Sequence, residues 1–250
     1  MLVKNSFQII LDSSSSDFWI KDLIFNENEE VRMISEHRPS PNSPLAKYFY
    51  LTKIPKGTGI GEGYEFFFPG YITNTFGTGN SQYKGDNVFI YADLFDDFLT
   101  PGALDAQQAI LSFNESTKET WARSFYYNTS GDFKITPSQE VVMIMSPRTH
   151  IPIYPNEDIT EFFRLSFSGE TLIKKGIQHK FFNLPDFKTI TYDLVFDTNA
   201  NLYFNGIFRD EESDPLKGTS FVLKTDKSGN PITGKYVQGM ILWNLYINSE

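Results

Sequence analysis

The sequence predicts a mainly β protein: an antiparallel sandwich or barrel, jelly-roll-like, with one short helix around 104–118 and long loops. Two observations predict this class. Aromatic residues make up 16% of the 250-residue chain, with 24 Phe and 13 Tyr, and aromatic side chains suit pleated, half-buried strands better than helices. Turn-forming residues also recur roughly every 8 to 15 positions along much of the chain, which is close to the spacing in sandwiches and barrels.

Strands are predicted where apolar, aromatic and β-branched residues run between turn-forming residues. In the first part of the chain these runs are 7–11, 18–25, 31–34, 48–54, 64–68 and 88–92. Three prolines, Pro39, Pro41 and Pro44, interrupt them. Proline cannot donate a ladder hydrogen bond, so this segment is predicted to be an extended arm or crossing loop.

One helix is predicted, over 104–118. Ala106, Ala109, Ile110 and Phe113 recur at the three- and four-residue spacing of a helical face. Asp105 precedes them as a candidate N-cap.

Strand signals return after residue 120. A hairpin is predicted from 121–127 through a turn at 128–132 into 133–135, and further strands are predicted at 140–145, 162–167, 171–174, 189–196, 202–208, 221–225 and 239–247. No repeat of fixed period is visible. The chain is expected to be one β-rich domain over 1–250, or two β subdomains, 1–100 and 120–250, bridged by the helical segment.

Composition excludes several functions. The net charge of −9 argues against direct nucleic-acid binding, which needs clustered Lys and Arg. The chain has no cysteine, so disulfides, thiolate catalysis and cysteine metal sites are excluded. The first residues make a poor signal peptide, and no apolar run approaches the roughly 20 residues of a membrane helix, so a soluble protein made in the cytosol is expected.

A glycine-rich stretch is the nearest approach to a catalytic motif. Gly57, Gly59, Gly61 and Gly63 alternate along it, yet a dinucleotide or P-loop motif needs other spacings and a following helix. Here an aromatic, strand-like run follows, so a hairpin loop is predicted.

No metal, cofactor or catalytic site is predicted. His37, His150 and His179 lack the short spacings of metal ligands. The run 197–201 begins like a calcium loop, but Leu202 stands where that loop needs glycine, so an ordinary hairpin turn is favoured.

These features predict a non-catalytic structural subunit of a multi-protein assembly. A bacteriophage virion component is expected, of the capsid-decoration, collar or tail-ring, or fibre-base type, made in the host cytoplasm. Its partners would be copies of itself and other structural proteins, with no nucleic acid and no membrane. The candidate contact loops are 36–47, 57–63, 75–86 and 209–219, and their residues are Pro39, Pro41, Pro44, Gly57, Gly59, Gly61, Gly63, Gly77 and Gly79.

Two alternatives remain open. A lectin-like or receptor-binding β-sandwich would place exposed aromatic side chains beside Asp or Asn to bind glycans. A hydrolase would hold a pair of carboxylates that the sequence does not reveal.

Overall fold

The computed structural model describes residues 17–25, 30–38, 48–54, 62–66, 71–73, 81–96, 107–125, 128–147, 159–178, 188–209 and 219–247. All regular structure within these ranges is β-strand, and every strand pair is antiparallel. The predicted mainly β, antiparallel class is therefore confirmed. The chain divides into two compact units, unit 1 (Met1–Ser124) and unit 2 (Phe125–Glu250).

The described residues of unit 1 form nine strands in two sheets. Sheet A has the order β1-β2-β3-β4, and sheet B has the order β5-β7-β8-β9 with β6 also paired to β7. The strands are β1 (Asp17–Phe25), β2 (Val31–Arg38), β3 (Tyr48–Ile54), β4 (Glu62–Phe66), β5 (Tyr71–Thr73), β6 (Ser81–Lys84), β7 (Asn87–Asp96), β8 (Gln107–Asn114) and β9 (Thr120–Phe125).

In unit 2, the part of the chain that the structure describes forms eight strands in two sheets. Sheet C has the order β10-β11-β12-β13 and sheet D the order β14-β15-β16-β17. The strands are β10 (Asn128–Ile135), β11 (Val141–Pro147), β12 (Ile159–Leu165), β13 (Thr171–Gln178), β14 (Lys188–Phe196), β15 (Leu202–Arg209), β16 (Thr219–Thr225) and β17 (Pro231–Gln238).

Each unit buries an apolar core between its two sheets. In unit 1, side chains of β1, β2 and β3 pack against those of β7 and β8. In unit 2, Val142 and Phe162 of sheet C pack with Leu194, Phe204 and Phe221 of sheet D. This is the face-to-face packing of a sandwich-like fold, in which alternate residues of each strand point into the core.

The order of strands differs from that of a jelly roll. In sheets A, C and D each strand pairs with its neighbours in sequence, whereas a jelly roll brings distant strands together. Four strands in this up-and-down order also form the blades of β-propellers.

The helix predicted around 104–118 is replaced from Gln107 onward by β8 and a turn. Ala109, Leu111 and Phe113 of β8 join the core of unit 1, while Gln108, Ile110 and Ser112 on its other face are also buried. A strand buried on both faces lacks the alternation of a half-exposed strand, and its small and apolar residues imitated a helical face.

Two other predictions near strand ends are wrong. The turn predicted at 128–132 lies inside β10, which pairs with β11 and not with β9. The strand predicted at 239–247 is a turn and an extended segment with one isolated bridge, from Met240 to Thr219. The last strand of the sheet is instead β17.

Four hairpin turns among the described residues of unit 2 share one construction. In each, a side-chain oxygen of the first residue accepts a hydrogen bond from the backbone N–H four positions later, at 2.8–3.0 Å. The fourth residue has a positive φ in every case. The first residues are Thr136, Ser166, Asp197 and Asp226, so successive turns are 30, 31 and 29 residues apart (166 − 136, 197 − 166, 226 − 197). A repeat therefore exists that the sequence analysis missed.

Candidate functional site

The segment that follows β17 crosses the face of sheet D that points away from the core. Ser220 in β16 donates its hydroxyl hydrogen to the carbonyl of Met240 and accepts from the backbone N–H of Leu242 at 3.0 Å. Asn205 in β15 donates to the carbonyl of Leu242 at 2.7 Å. Polar side chains of neighbouring strands thus hold the backbone of this segment in place.

The far end of the segment is held by β14. The backbone N–H of Leu245 donates to Oδ2 of Asp193 at 2.8 Å, and the ring of Trp243 lies 4.7 Å from the ring of Tyr192. Asn205, Ile207 and Ser220 are fully or almost fully buried. The segment is therefore a fixed part of unit 2.

Large apolar side chains project from this fixed backbone into solvent. We define the C-terminal surface as Val237, Met240, Trp243, Tyr246 and Ile247, all exposed, with Trp243 at 59% and Tyr246 at 86%. A cluster of exposed apolar side chains on an ordered backbone is typical of a binding surface. The C-terminal surface is the strongest candidate for a functional site.

Beneath the segment, a buried carboxyl group joins the two sheets of unit 2. Asp132 of β10 is 3% exposed and accepts a hydrogen bond from the backbone N–H of Leu194 at 3.2 Å. The ammonium group of Lys134 lies 3.3 Å from Asp132 and 3.7 Å from Asp193. These residues form the Asp132 network, which fastens β10 to β14.

The Asp132 network strongly perturbs one pKa. Burial raises the pKa of Asp132, the charge of Lys134 lowers it and Asp193 raises it, and the resulting pKa is about 7. A carboxyl group buried in low dielectric beside a second carboxylate favours its neutral form. Asp132 therefore changes between its neutral and charged forms near neutral pH.

The Asp132–Asp193 pair also bears on the hydrolase alternative. Carboxylates that cleave glycosidic bonds stand about 5–10 Å apart to leave room for substrate or water. Asp132 and Asp193 instead both lie beside the ammonium group of Lys134, and Asp193 also accepts a hydrogen bond from the backbone N–H of Leu245. This arrangement engages both carboxyl groups in contacts that connect strands.

Unit 1 contains a comparable buried cluster. Arg32 of β2 is 1% exposed, and its guanidinium donates to both oxygens of Glu115 and, at 3.1 Å, to Glu30. Tyr83 donates its hydroxyl hydrogen to Glu115 at 3.1 Å and places its ring 5.3 Å from Arg32. Burial and the charge of Glu115 raise the pKa of Tyr83 to about 12, so it is a neutral donor throughout the physiological range.

The structure describes one of the predicted contact residues. Gly63 lies in β4, opposite Thr52 of β3, and therefore in a strand and not in the predicted loop. The predicted loops 36–47 and 75–86 are likewise shorter, because β2 runs to Arg38 and β6 occupies Ser81–Lys84. The other candidates lie outside the described residues: Pro39, Pro41, Pro44, Gly57, Gly59, Gly61, Gly77 and Gly79.

The calcium-like run at 197–201 forms a hairpin turn. The carboxylate of Asp197 accepts hydrogen bonds from Asn199 and Asn201 and pairs with Lys224 at 3.2 Å. Although its slight burial acts in the opposite direction, these contacts lower the pKa of Asp197 to about 2. Among the described residues, no group of three or more His, Asp or Glu side chains is arranged to hold a metal ion.

Comparison with known proteins gives little further information. No protein-family model matches the chain, and no curated protein sequence matches it. A crystal structure of a member of the DUF4221 family from Bacteroides vulgatus is similar at a TM-score of 0.43 and 10% identity, over 92% of this chain and 84% of that one. Within the described residues, no helix is long and apolar enough to cross a membrane.

Proposed function

We propose that the protein is a non-catalytic subunit of a multi-protein assembly and that the C-terminal surface is one of its contacts. The observation that carries this proposal is the combination of a tethered backbone and exposed apolar side chains. Tethers from Asp193, Asn205 and Ser220 remove conformational freedom before binding, so a partner need not order the segment. Exposed Trp and Tyr are enriched among the residues that contribute most to protein interfaces.

Copies of the same chain are the first partner to test. Light scattering coupled to size-exclusion chromatography, over a wide range of protein concentration, should show a mass that rises above the monomer. A double variant, Met240→Ser with Tyr246→Ser, should weaken this association, because it removes two exposed apolar side chains that make none of the tethers. Leu172→Ser on β13, also half-exposed, is the matched control and should leave the mass unchanged.

A protein that stays monomeric at every concentration, and does not bind proteins co-expressed with it, would refute the assembly proposal. The narrower expectation of a bacteriophage virion component rests on an analogy of composition and sequence pattern with such proteins. Incorporation of the protein into particles tests that version separately.

A glycan-binding function is the second candidate, favoured by the paired rings of Tyr192 and Trp243. Exposed aromatic rings stack on the apolar faces of sugars, and Trp243 offers such a ring. A glycan array probed with the monomer should then give binding that Trp243→Ala abolishes and Leu172→Ser retains. An array without signal would remove this candidate.

A further inference from the structure

A cavity of about 300 Å3 opens among the hairpin turns of unit 2. Its closed floor consists of Val142, Phe162 and Leu202, each at most 2% exposed. Phe196 and Ala200 form a half-buried wall. Pockets for small molecules are usually apolar inside with a few polar groups at the mouth, and the floor and wall of this cavity fit that description.

Three capped turns form the rim, and their hydrogen bonds make it rigid. Arg164 bridges two of them, because its Nε donates to Glu140 at 2.7 Å and its Nη1 donates to the carbonyl of Lys227 at 2.7 Å. Gly229 brings the last turn against the floor, since a Cβ there would lie 2.8 Å from the ring of Phe162. The cavity therefore exists before any ligand arrives.

The other charged groups near the rim are engaged by ion pairs or hydrogen bonds within the fold. Glu140 pairs with Arg164, and Lys224 pairs with Asp197. The carboxylate of Asp226 accepts hydrogen bonds from Ser228 and from the backbone and side chain of Asn230. None of these groups needs a ligand to complete its hydrogen bonding.

Two polar groups at the rim are left available. Lys227 is exposed and, within the described part of the chain, its ammonium group has no ion pair. Thr198, on the opposite turn, makes no hydrogen bond through its hydroxyl among the same residues. The rim therefore offers the ammonium group of Lys227 and one hydroxyl above an apolar floor, beside the hydrogen-bonded carboxylate of Asp226.

We propose that this cavity binds a small organic acid with a single apolar ring. The ring would lie against Phe196 and above Phe162 and Leu202, and the acid group would accept hydrogen bonds from Lys227 and Thr198. A cavity of about 150 Å3 lined by apolar side chains accepts benzene, so about 300 Å3 has room for a ring and its acid group. This site is separate from the C-terminal surface, and neither proposal depends on the other.

Benzoate is the probe, titrated into 15N-labelled full-length protein and followed by two-dimensional NMR. Shifts should concentrate in the turns 136–140, 197–201 and 226–230. Lys227→Ala should weaken binding about tenfold, since a hydrogen bond to a charged group is lost. Lys235→Ala, which removes an exposed cation from β17, is the matched control and should bind as the unaltered protein does.

Three further measurements test shape and charge. Thr198→Trp should abolish binding by filling the mouth, with an unchanged melting temperature that shows the fold is intact. Acetate, which lacks the ring, and benzylamine, which carries the opposite charge, should each bind at least tenfold more weakly than benzoate. The proposal is overturned if benzoate shifts none of the three turns, if Lys235→Ala weakens binding as much as Lys227→Ala, or if benzylamine binds as tightly as benzoate.

Discussion

Replacing Asp132 by Asn should remove a pH dependence from the stability of unit 2. Asn has nearly the same shape and keeps an oxygen to accept the hydrogen bond from the backbone N–H of Leu194. It differs from Asp in having no proton to lose. The substitution therefore isolates the cost of ionising a buried carboxyl group.

The magnitude follows from the pKa of Asp132. Burial and, to a smaller extent, Asp193 raise this pKa from 3.8 to about 7, although the charge of Lys134 acts to lower it. The stabilisation by this group is fully present below pH 4 and is lost as pH rises through 7, because only the unfolded chain readily releases the proton in that window. Each pH unit between these values corresponds to about 1.4 kcal/mol. Between pH 5 and pH 8 the wild type should therefore lose about 3 kcal/mol through this group, whereas Asp132→Asn should lose none of it.

Urea unfolding at pH 5, 6, 7 and 8, followed by far-ultraviolet circular dichroism and by tryptophan fluorescence, measures this effect. The quantity of interest is the difference in unfolding free energy between variant and wild type at each pH, since other titrating groups cancel in it. Glu170→Gln, which alters an exposed carboxylate in a hairpin turn, should give a difference that is constant with pH. Parallel profiles for wild type and Asp132→Asn would show that Asp132 ionises freely in the fold and that the buried-carboxyl argument is wrong.

Two further substitutions test close packing and buried charge. Gly206→Ala should destabilise unit 2 by roughly 3 kcal/mol, because its Cβ would lie 2.3 Å from the carbonyl oxygen of Ile190. Gly63→Ala, whose Cβ would have only a 3.7 Å contact, should change the unfolding free energy by less than about 1 kcal/mol. Equal effects of the two variants in urea unfolding would contradict the close approach of Gly206 to β14. Arg32→Met should lower the unfolding free energy by about 3–5 kcal/mol, because it leaves the carboxylate of Glu115 without its ion-pair partner. The double variant Arg32→Met with Glu115→Gln should recover part of that loss. Thermal unfolding of the single and double variants measures this, and equal melting temperatures would count against the ion pair.

Local sequence patterns predicted strands with alternating burial and also some that are buried on both faces. The run 221–225 lies in β16, where burial alternates, and the run 202–208 is close to β15, which is buried on both faces. The prediction failed where packing overrode local preference. The small and apolar residues of β8 also fall at helical spacing, so tertiary contacts decided its conformation.

The candidate site could not have been predicted in the same way. Asp132 lies in the run Ser130-Gly131-Asp132, which resembles a turn, and its role depends on Leu194 of β14, a distant part of the chain. The exposure of Tyr246 depends on the tethers to Asp193, Asn205 and Ser220, which join four separate parts of the chain. A weak signal was present in the polar residues that interrupt otherwise apolar strands, because a buried polar side chain needs a partner.

The buried polar groups at the edge of sheet D contribute to joining the strands of unit 2. The first strand of sheet D, β14, has outer backbone N–H groups satisfied by side chains of sheet C: Ser146 accepts from Thr191 at 2.9 Å and Asp132 accepts from Leu194 at 3.2 Å. Side chains that close a strand edge in this way prevent it from pairing with another chain. These side chains thus connect the strands of unit 2, while Trp243 and Tyr246 are held outward on a fixed backbone. That division is what the proposed contact role of the C-terminal surface requires.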